Sequence, residues 1–64
     1  MVCINGKQED AAGMVLLDYL KQNHVPPEGV AVECNEEIIR KNRYAEYIFQ
    51  DGDTVEIVSF VGGG

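Results

Sequence analysis

The sequence DGDTVEIVSFVGGG, residues 51–64, contains a turn, a strand and a stretch of glycines in direct succession. In the Asp-Gly-Asp turn, glycine supplies freedom in φ and the aspartates can hydrogen-bond to local backbone. The β-branched residues that follow predict a strand over residues 54–60, with Val55 and Ile57 facing the core and Glu56 facing solvent.

The N-terminal segment predicts a β-hairpin. Residues 2–4 are a short β-prone run, and Asn5-Gly6 accepts the positive φ angles of a two-residue hairpin turn. The polar residues 7–10 then return as an edge strand, where charged side chains discourage pairing with the sheet of another molecule.

The next segment predicts the main helix. Residues 13–23 have helical spacing, and the Pro-Pro pair that follows them prevents the helix from continuing. Leu16 and Leu20 form its apolar stripe, and either Leu17 or Tyr19 completes that stripe. The spacing alone leaves the choice between these two side chains open.

After the helix the hydrophobic period changes to two. Residues 30–34 alternate as a half-buried strand, and residues 38–39 can form a brief return strand after an Asn-Glu turn. A helical turn that closes the core is predicted by the i, i+3, i+4 spacing of Tyr44, Tyr47 and Ile48. The element order, ββαβ(β)-turn-β, predicts an α+β fold.

Size and charge restrict the possible functions. A chain of 64 residues and 7.1 kDa makes one small domain, with no interior left for a roomy cofactor pocket, so neither a self-contained enzyme nor a bound cofactor is expected. Five basic and eleven acidic residues give a net charge of −6. Such a surface repels nucleic acids and anionic membranes and favours a basic protein partner.

The residues able to carry chemistry have simpler structural interpretations. Cys3 and Cys34 lack metal-ligand spacing and lie in apolar runs, where free thiols behave as small hydrophobes. His24 is expected to cap a helix or face solvent, and Glu36-Glu37 to form a solvated turn. No metal site is expected. The N-terminus resembles neither a secretory nor a membrane segment, so a cytoplasmic location is expected.

The glycines after the last strand suggest a different kind of site. We expect residues 1–61 to form the domain and residues 62–64 to be a flexible tail that reaches about 10 Å beyond it. Glycines can pass through a channel too narrow for any side chain, and the group delivered at the tip is the α-carboxylate of Gly64. A carboxylate is a poor acyl donor, so it would need adenylation by ATP before a thiol or amine could attack. The alternative is a disordered terminus without a role.

The combination of VAVECNEEII, residues 30–39, with DGDTVEIVSFVGGG and the Asn5-Gly6 hairpin resembles the ThiS sulfur-carrier family of thiamine biosynthesis over the whole chain. The resemblance implies the ubiquitin-like β-grasp fold, a mixed sheet packed on one main helix. In the sheet of that family the first and third strands flank the last one. Cys3 and Cys34 should therefore not be neighbours.

The family resemblance also implies a mechanism. Gly64 would be acyl-adenylated by a ThiF-type adenylyltransferase and converted to a thiocarboxylate with sulfur from a donor protein. A ThiG-type thiazole synthase would receive that sulfur. Gly63 and Gly64 match the diglycine of the family, and Gly62 is an additional tail residue.

At the root of the tail, Val58, Phe60 and Val61 are expected to be exposed apolar contacts for a partner, although Phe60 could instead pack in the core. Three alternatives to the thiamine carrier remain open at this point. The chain could be a molybdopterin-type or cysteine-type sulfur carrier, a ubiquitin-like protein modifier, or a plain β-grasp interaction module.

Overall fold

A computed structural model describes residues 1–60 of the chain. Within them the elements follow the order expected from the sequence. They are β1 (Val2–Ile4), β2 (Lys7–Glu9), α1 (Leu16–Gln22), β3 (Val30–Cys34), β4 (Glu37–Ile39) and β5 (Thr54–Ser59), with short 3₁₀ turns at Pro27–Gly29 and Lys41–Arg43. The expected domain boundary after residue 61 and the tail over residues 62–64 lie outside the described residues.

The strands form one mixed sheet in the order β2-β1-β5-β3-β4. The C-terminal strand β5 is central, parallel to β1 and antiparallel to β3. Cys3 pairs with Thr54 on one side of β5, and Cys34 pairs with Val55 on the other. The two thiols are free and separated by a strand, which confirms that they are not neighbours.

Both hairpins turn through residues with positive φ. Asn5 and Gly6 have φ angles of 51° and 83°, and Asn35 and Glu36 have 52° and 71°. Two successive positive φ angles match the right-handed twist of paired strands, which is why asparagine and glycine favour such turns. The N-terminal hairpin is therefore confirmed, and the Asn-Glu turn joins β3 to β4.

Helix α1 covers one face of the sheet. Leu16 and Leu20 are fully buried, and Tyr19 is buried, whereas Leu17 is only partly buried. The Tyr19 ring packs edge-to-face on Phe49 at a centroid distance of 5.7 Å, a contact in the preferred aromatic geometry. Tyr19 therefore completes the apolar stripe that the sequence left open.

The helix begins at Leu16, three residues later than its spacing indicated. Gly13 instead ends a turn with a φ of 90°, and residues 14–15 run alongside residues 47–49. The Gly13 N–H donates to the Phe49 carbonyl at 2.8 Å, and the Phe49 N–H donates to the Met14 carbonyl at 2.9 Å. Because these backbone groups are satisfied by a distant segment, the first turn expected of the helix does not form.

The helical turn predicted from Tyr44, Tyr47 and Ile48 forms earlier in the chain. It begins with the 3₁₀ turn at Lys41–Arg43 and ends at Tyr47, whose N–H donates to the Arg43 carbonyl at 2.9 Å. Ile48 lies beyond it and forms a β-bridge with Val15. Tyr44 is buried as expected, but Tyr47 is only partly buried and Ile48 is 52% exposed. Phe49, buried to 1% exposure, fills the core in its place.

Candidate functional site

The root of the tail is the C-terminal end of β5, which pairs with β3, whereas β1 pairs only with the first residues of the strand. At the start of the strand, the Cys3 N–H donates to the Asp53 carbonyl at 2.9 Å. At its end, the Phe60 N–H donates to the Gly29 carbonyl at 3.0 Å. The backbone is thus paired up to the last described residue, so the fold fixes the position from which residues 61–64 depart.

The apolar side chains at this end of β5 point away from the core. Val58 is 59% exposed and Phe60 is 58% exposed. Val58 lies directly opposite Ala31 of β3, which is also exposed. Phe60 is therefore not a core residue, whereas a role of Val58 and Phe60 in binding a partner stays a prediction. The remaining predicted site residues, Val61, Gly62, Gly63 and Gly64, lie outside the described residues.

Phe60 borders a shallow surface depression of about 410 Å³. Its lining includes the apolar residues Ala31 and Ile38 and the cationic residues Arg40 and Lys41. The Lys41 ammonium lies 5.0 Å from the centroid of the Phe60 ring, within the range of a cation–π contact. Apolar surface and positive charge thus meet beside the root of the tail.

Sequence reasoning missed three residues of this depression. Ile38 is 69% exposed, and Arg40 and Lys41 are exposed as well. A signal for Ile38 was present, because adjacent residues of a strand point to opposite faces and Ile38-Ile39 cannot both be buried in a one-sided sheet. For the two cations the sequence held no comparable signal, since their position beside Phe60 depends on the path of the chain after β4.

The opposite end of β5 begins at a buried carboxylate, Asp53. Its oxygens accept hydrogen bonds from the Gln50 N–H at 2.9 Å and from the Asn35 amide at 3.0 Å. Burial by itself would raise the pKa of Asp53, but these hydrogen bonds to the ionised form outweigh it and hold the pKa below its ordinary value. Asn35 also accepts from the Thr54 N–H at 3.0 Å, so the network joins the β3–β4 turn to β5.

The thiol of Cys34 belongs to the same network and is a poor nucleophile. Cys34 is buried, and its sulfur is hydrogen-bonded to the Tyr47 hydroxyl, which lies 3.5 Å from the Asp53 carboxylate. Burial raises the pKa of the Cys34 thiol, and the nearby carboxylate raises it further. Thiolates are the reactive form of cysteine, so this environment is typical of a structural residue.

His24 caps the C-terminus of α1. It has a φ of 57°, its N–H donates to the Lys21 carbonyl at 3.1 Å, and the Val25 N–H donates to the Leu20 carbonyl at 2.9 Å. This pair of bonds is a Schellman motif, with His24 at the left-handed position. Glu36 likewise has a backbone role as the second turn residue of the β3–β4 hairpin.

Residues 1–60 contain neither a cluster of metal ligands nor a helix able to span a membrane. No three His, Cys, Asp or Glu side chains among these residues are grouped so that they could hold a metal ion. In the same part of the chain, no helix has both the length and the apolar character needed to cross a membrane.

Comparison with known proteins assigns the family. Residues 2–64 match the model of the ThiS family. The chain is 41% identical to the sulfur carrier protein ThiS of Bacillus subtilis over the full length of both proteins. It is also 44% identical to a thiazole synthase of Paramagnetospirillum magneticum over 95% of this chain, although it spans only 19% of that protein's length.

A solved structure confirms the β-grasp architecture. The crystal structure of the thiamine biosynthesis protein (ThiS) from Geobacter metallireducens aligns with a TM-score of 0.76 and 31% identity, covering 98% of this chain and 97% of that one. The chain therefore belongs to the ThiS family, whose members include sulfur carrier proteins of thiamine biosynthesis.

Proposed function

We propose that this chain is a sulfur carrier whose Gly64 carboxylate is adenylated, converted to a thiocarboxylate and used as the sulfur source for thiazole synthesis. The observation that carries the proposal is the family match, which runs through Gly64 and agrees with full-length alignment to a sulfur carrier protein. The match to thiazole synthases favours the thiazole pathway over molybdopterin or cysteine synthesis.

The proposed chemistry proceeds in two displacements. A carboxylate oxygen of Gly64 attacks the α-phosphorus of ATP, and pyrophosphate leaves, which gives an acyl-adenylate. A sulfur nucleophile, formally hydrosulfide supplied by a donor protein, then attacks the acyl carbon and displaces AMP. The product is a thiocarboxylate whose sulfur is nucleophilic enough to be transferred to the thiazole synthase.

In this scheme the fold positions the substrate group, and the partner enzymes perform the catalysis. Among residues 1–60, no hydrogen bond joins His24 to Ser59, Cys3 or Cys34, so no activated nucleophile is assembled. Central placement of β5 gives the tail a rigid origin, and three glycines let it enter a narrow active site. Val58, Phe60 and Val61 would contact the ThiF-type adenylyltransferase at the mouth of that site.

Intact-mass spectrometry tests the proposal. The chain is incubated with ATP, a ThiF-type adenylyltransferase and a sulfur donor, and we expect a mass increase equal to the exchange of one oxygen for one sulfur. Deletion of Gly64, or addition of one alanine after it, should abolish this change while thermal melting stays the same. Equal activation of the extended protein would contradict the proposal. Conjugates to target proteins that survive reducing, denaturing gels would instead support a protein modifier.

A further inference from the structure

The depression beside Phe60 has a charge opposite to that of the chain. The chain carries eleven acidic and five basic residues. The lining of the depression nevertheless includes two of the basic residues, Arg40 and Lys41, and none of the acidic ones. In the whole chain acidic residues outnumber basic ones by more than two to one, so a lining with two cations and no carboxylate is opposite in charge to the rest of the chain.

The path of the chain after β4 places these cations. Arg40 leaves the strand in extended conformation, with φ −73° and ψ 149°, and Lys41 opens the 3₁₀ turn that follows. Arg43 of the same turn forms an ion pair with Glu46, with 3.4 Å between Arg43 Nε and Glu46 Oε1. Within residues 1–60, by contrast, neither Arg40 nor Lys41 has a carboxylate within ion-pair distance. Both are therefore available to an external anion.

Most of the residues that line the depression are apolar or aromatic. Ile38 and Phe60 are each more than half exposed, and Ala31 lies between their strands. An exposed group of large apolar side chains rimmed by charge is typical of a protein-binding surface. Because Lys41 already lies over the Phe60 ring, a carboxylate that bound Lys41 would bring its own chain against that ring.

We propose that the depression binds a partner segment in which a large apolar side chain is flanked by Asp or Glu carboxylates. The apolar side chain packs on Ile38 and Phe60, and the carboxylates accept hydrogen bonds from Arg40 and Lys41. The inference depends on the proposed function in one respect: we assign the partner segment to the protein that would bind the C-terminal glycines. According to the inference, the part of the partner that faces Arg40 and Lys41 is acidic, whereas the net charge of the chain favours a basic partner surface elsewhere.

Amide NMR titration of the full chain tests the specificity directly. The probes are two acetylated and amidated hexapeptides, Asp-Asp-Leu-Phe-Asp-Asp and Lys-Lys-Leu-Phe-Lys-Lys. We expect the acidic peptide to shift the amide signals of Ala31, Ile38 and Phe60 at millimolar concentration. The basic peptide, which has the same apolar pair, should leave these signals in place.

Matched charge reversals locate the effect. Lys41→Glu and Lys7→Glu each replace one positive with one negative charge, so both lower the net charge from −6 to −8. Lys7 lies on β2, at the sheet edge opposite β4. Lys41→Glu should weaken binding of the acidic peptide about fivefold, whereas Lys7→Glu should change it less than twofold. Thermal melts of both variants check that each remains folded.

Four outcomes would overturn the inference. The first two are that both peptides shift the amide signals equally and that neither peptide shifts them. The third is that Lys41→Glu and Lys7→Glu change the affinity for the acidic peptide equally. The fourth is that inorganic pyrophosphate binds at the same amides more strongly than the acidic peptide does. Binding of the acidic peptide only after deletion of residues 62–64 would overturn it too, because the chain's own tail would then be the occupant. None of these results depends on adenylation. Failure of the proposed function and failure of this inference are therefore distinguishable.

Discussion

The two ends of β5 differ in every property that decides whether a strand stabilises a fold or binds a partner. At its start, Val55 is fully buried, and the preceding Asp53 accepts hydrogen bonds from two segments. At its end, Val58 and Phe60 are each more than half exposed. Side chains alternate along the strand, so Val55 lies on the core face, whereas Val58 and Phe60 lie on the opposite face. On the core face itself, burial falls from Val55 through the half-buried Ile57 to the exposed Ser59.

The contrast in burial indicates that β5 has two roles, one in folding and one at the protein surface. Burial and hydrogen bonding at the start of β5 hold the strand in the middle of the sheet. The exposed apolar groups at its end add little to folding, because their surface stays in water in the isolated protein. Mutations at the two ends should therefore act on different measurements, on unfolding at the start and on association at the end.

The largest effect on stability is expected from Val55→Ala. Removing a fully buried side chain of this size leaves a cavity and should lower the free energy of unfolding by about 2–3 kcal/mol. The matched substitution Val58→Ala, three residues later, should change it by less than about 0.5 kcal/mol. Urea denaturation of both variants measures the contrast. Similar losses at the two positions would contradict the assignment of Val55 to the core face and of Val58 to the exposed face of β5.

The next effect is expected in binding, from Phe60→Ala. If Phe60 anchors the ThiF-type partner, its truncation should weaken association by about 2 kcal/mol, seen mainly as faster dissociation. Stability should fall by about 0.5 kcal/mol or less, since the change removes an exposed ring and one cation–π contact with Lys41. Surface plasmon resonance and thermal melting provide the two readouts. Unchanged dissociation in a folded Phe60→Ala variant would exclude the anchor.

Local patterns in the sequence were sufficient for the strands and their turns. The period of two predicted β3, and the Asn5-Gly6 pair predicted the first hairpin, because each depends only on neighbouring residues. The two errors, the start of the helix at residues 13–15 and the packing expected of Ile48, have one cause. Residues 13–15 pair through their backbone with residues 47–49, which lie more than thirty positions away. The spacing of hydrophobic residues within one segment cannot reveal such a pairing.

The candidate site was predicted only where it depends on β5 itself. Placing Val58 and Phe60 at the root of the tail required no more than the strand and its order in the chain. Arg40 and Lys41 could not be assigned to that surface, since the sequence separates Lys41 from Phe60 by 18 intervening positions. The pairing of β5 with β3, and the turn that follows β4, bring these residues together.

An intermediate effect is expected from Asp53→Asn, and it should depend on pH. At neutral pH the amide cannot accept all the hydrogen bonds of the carboxylate, so stability should fall by about 1–2 kcal/mol. Because the folded-state pKa of Asp53 lies below its ordinary value of 3.8, its contribution is present above that pH and is lost as pH falls through the folded-state pKa. The difference between wild type and variant should therefore shrink as the pH falls below 3.8 towards the folded-state pKa.

Urea titrations at several pH values measure this dependence. Asp10→Asn is the matched control, because Asp10 is an exposed aspartate in the loop after β2. It should leave the difference from wild type near zero at every pH. A constant deficit of Asp53→Asn down to the acid limit would show that the loss comes from packing and not from ionisation.

The smallest effect tests whether surface charge serves binding at the expense of folding. Glu56 lies directly opposite Glu33 on the exposed face of the sheet, and like charges in this register repel. Glu56→Gln should therefore raise the free energy of unfolding by about 0.3 kcal/mol. The same change removes one of the carboxylates that attract a basic partner, so association should slow about twofold at low salt and hardly at all at physiological salt, where charges more than ~8 Å apart are screened. Stopped-flow association at two ionic strengths, together with urea denaturation, gives both numbers. A variant that is more stable and associates at an unchanged rate at low salt would remove the case for acidic steering, and the Glu33–Glu56 repulsion would then have no functional counterpart.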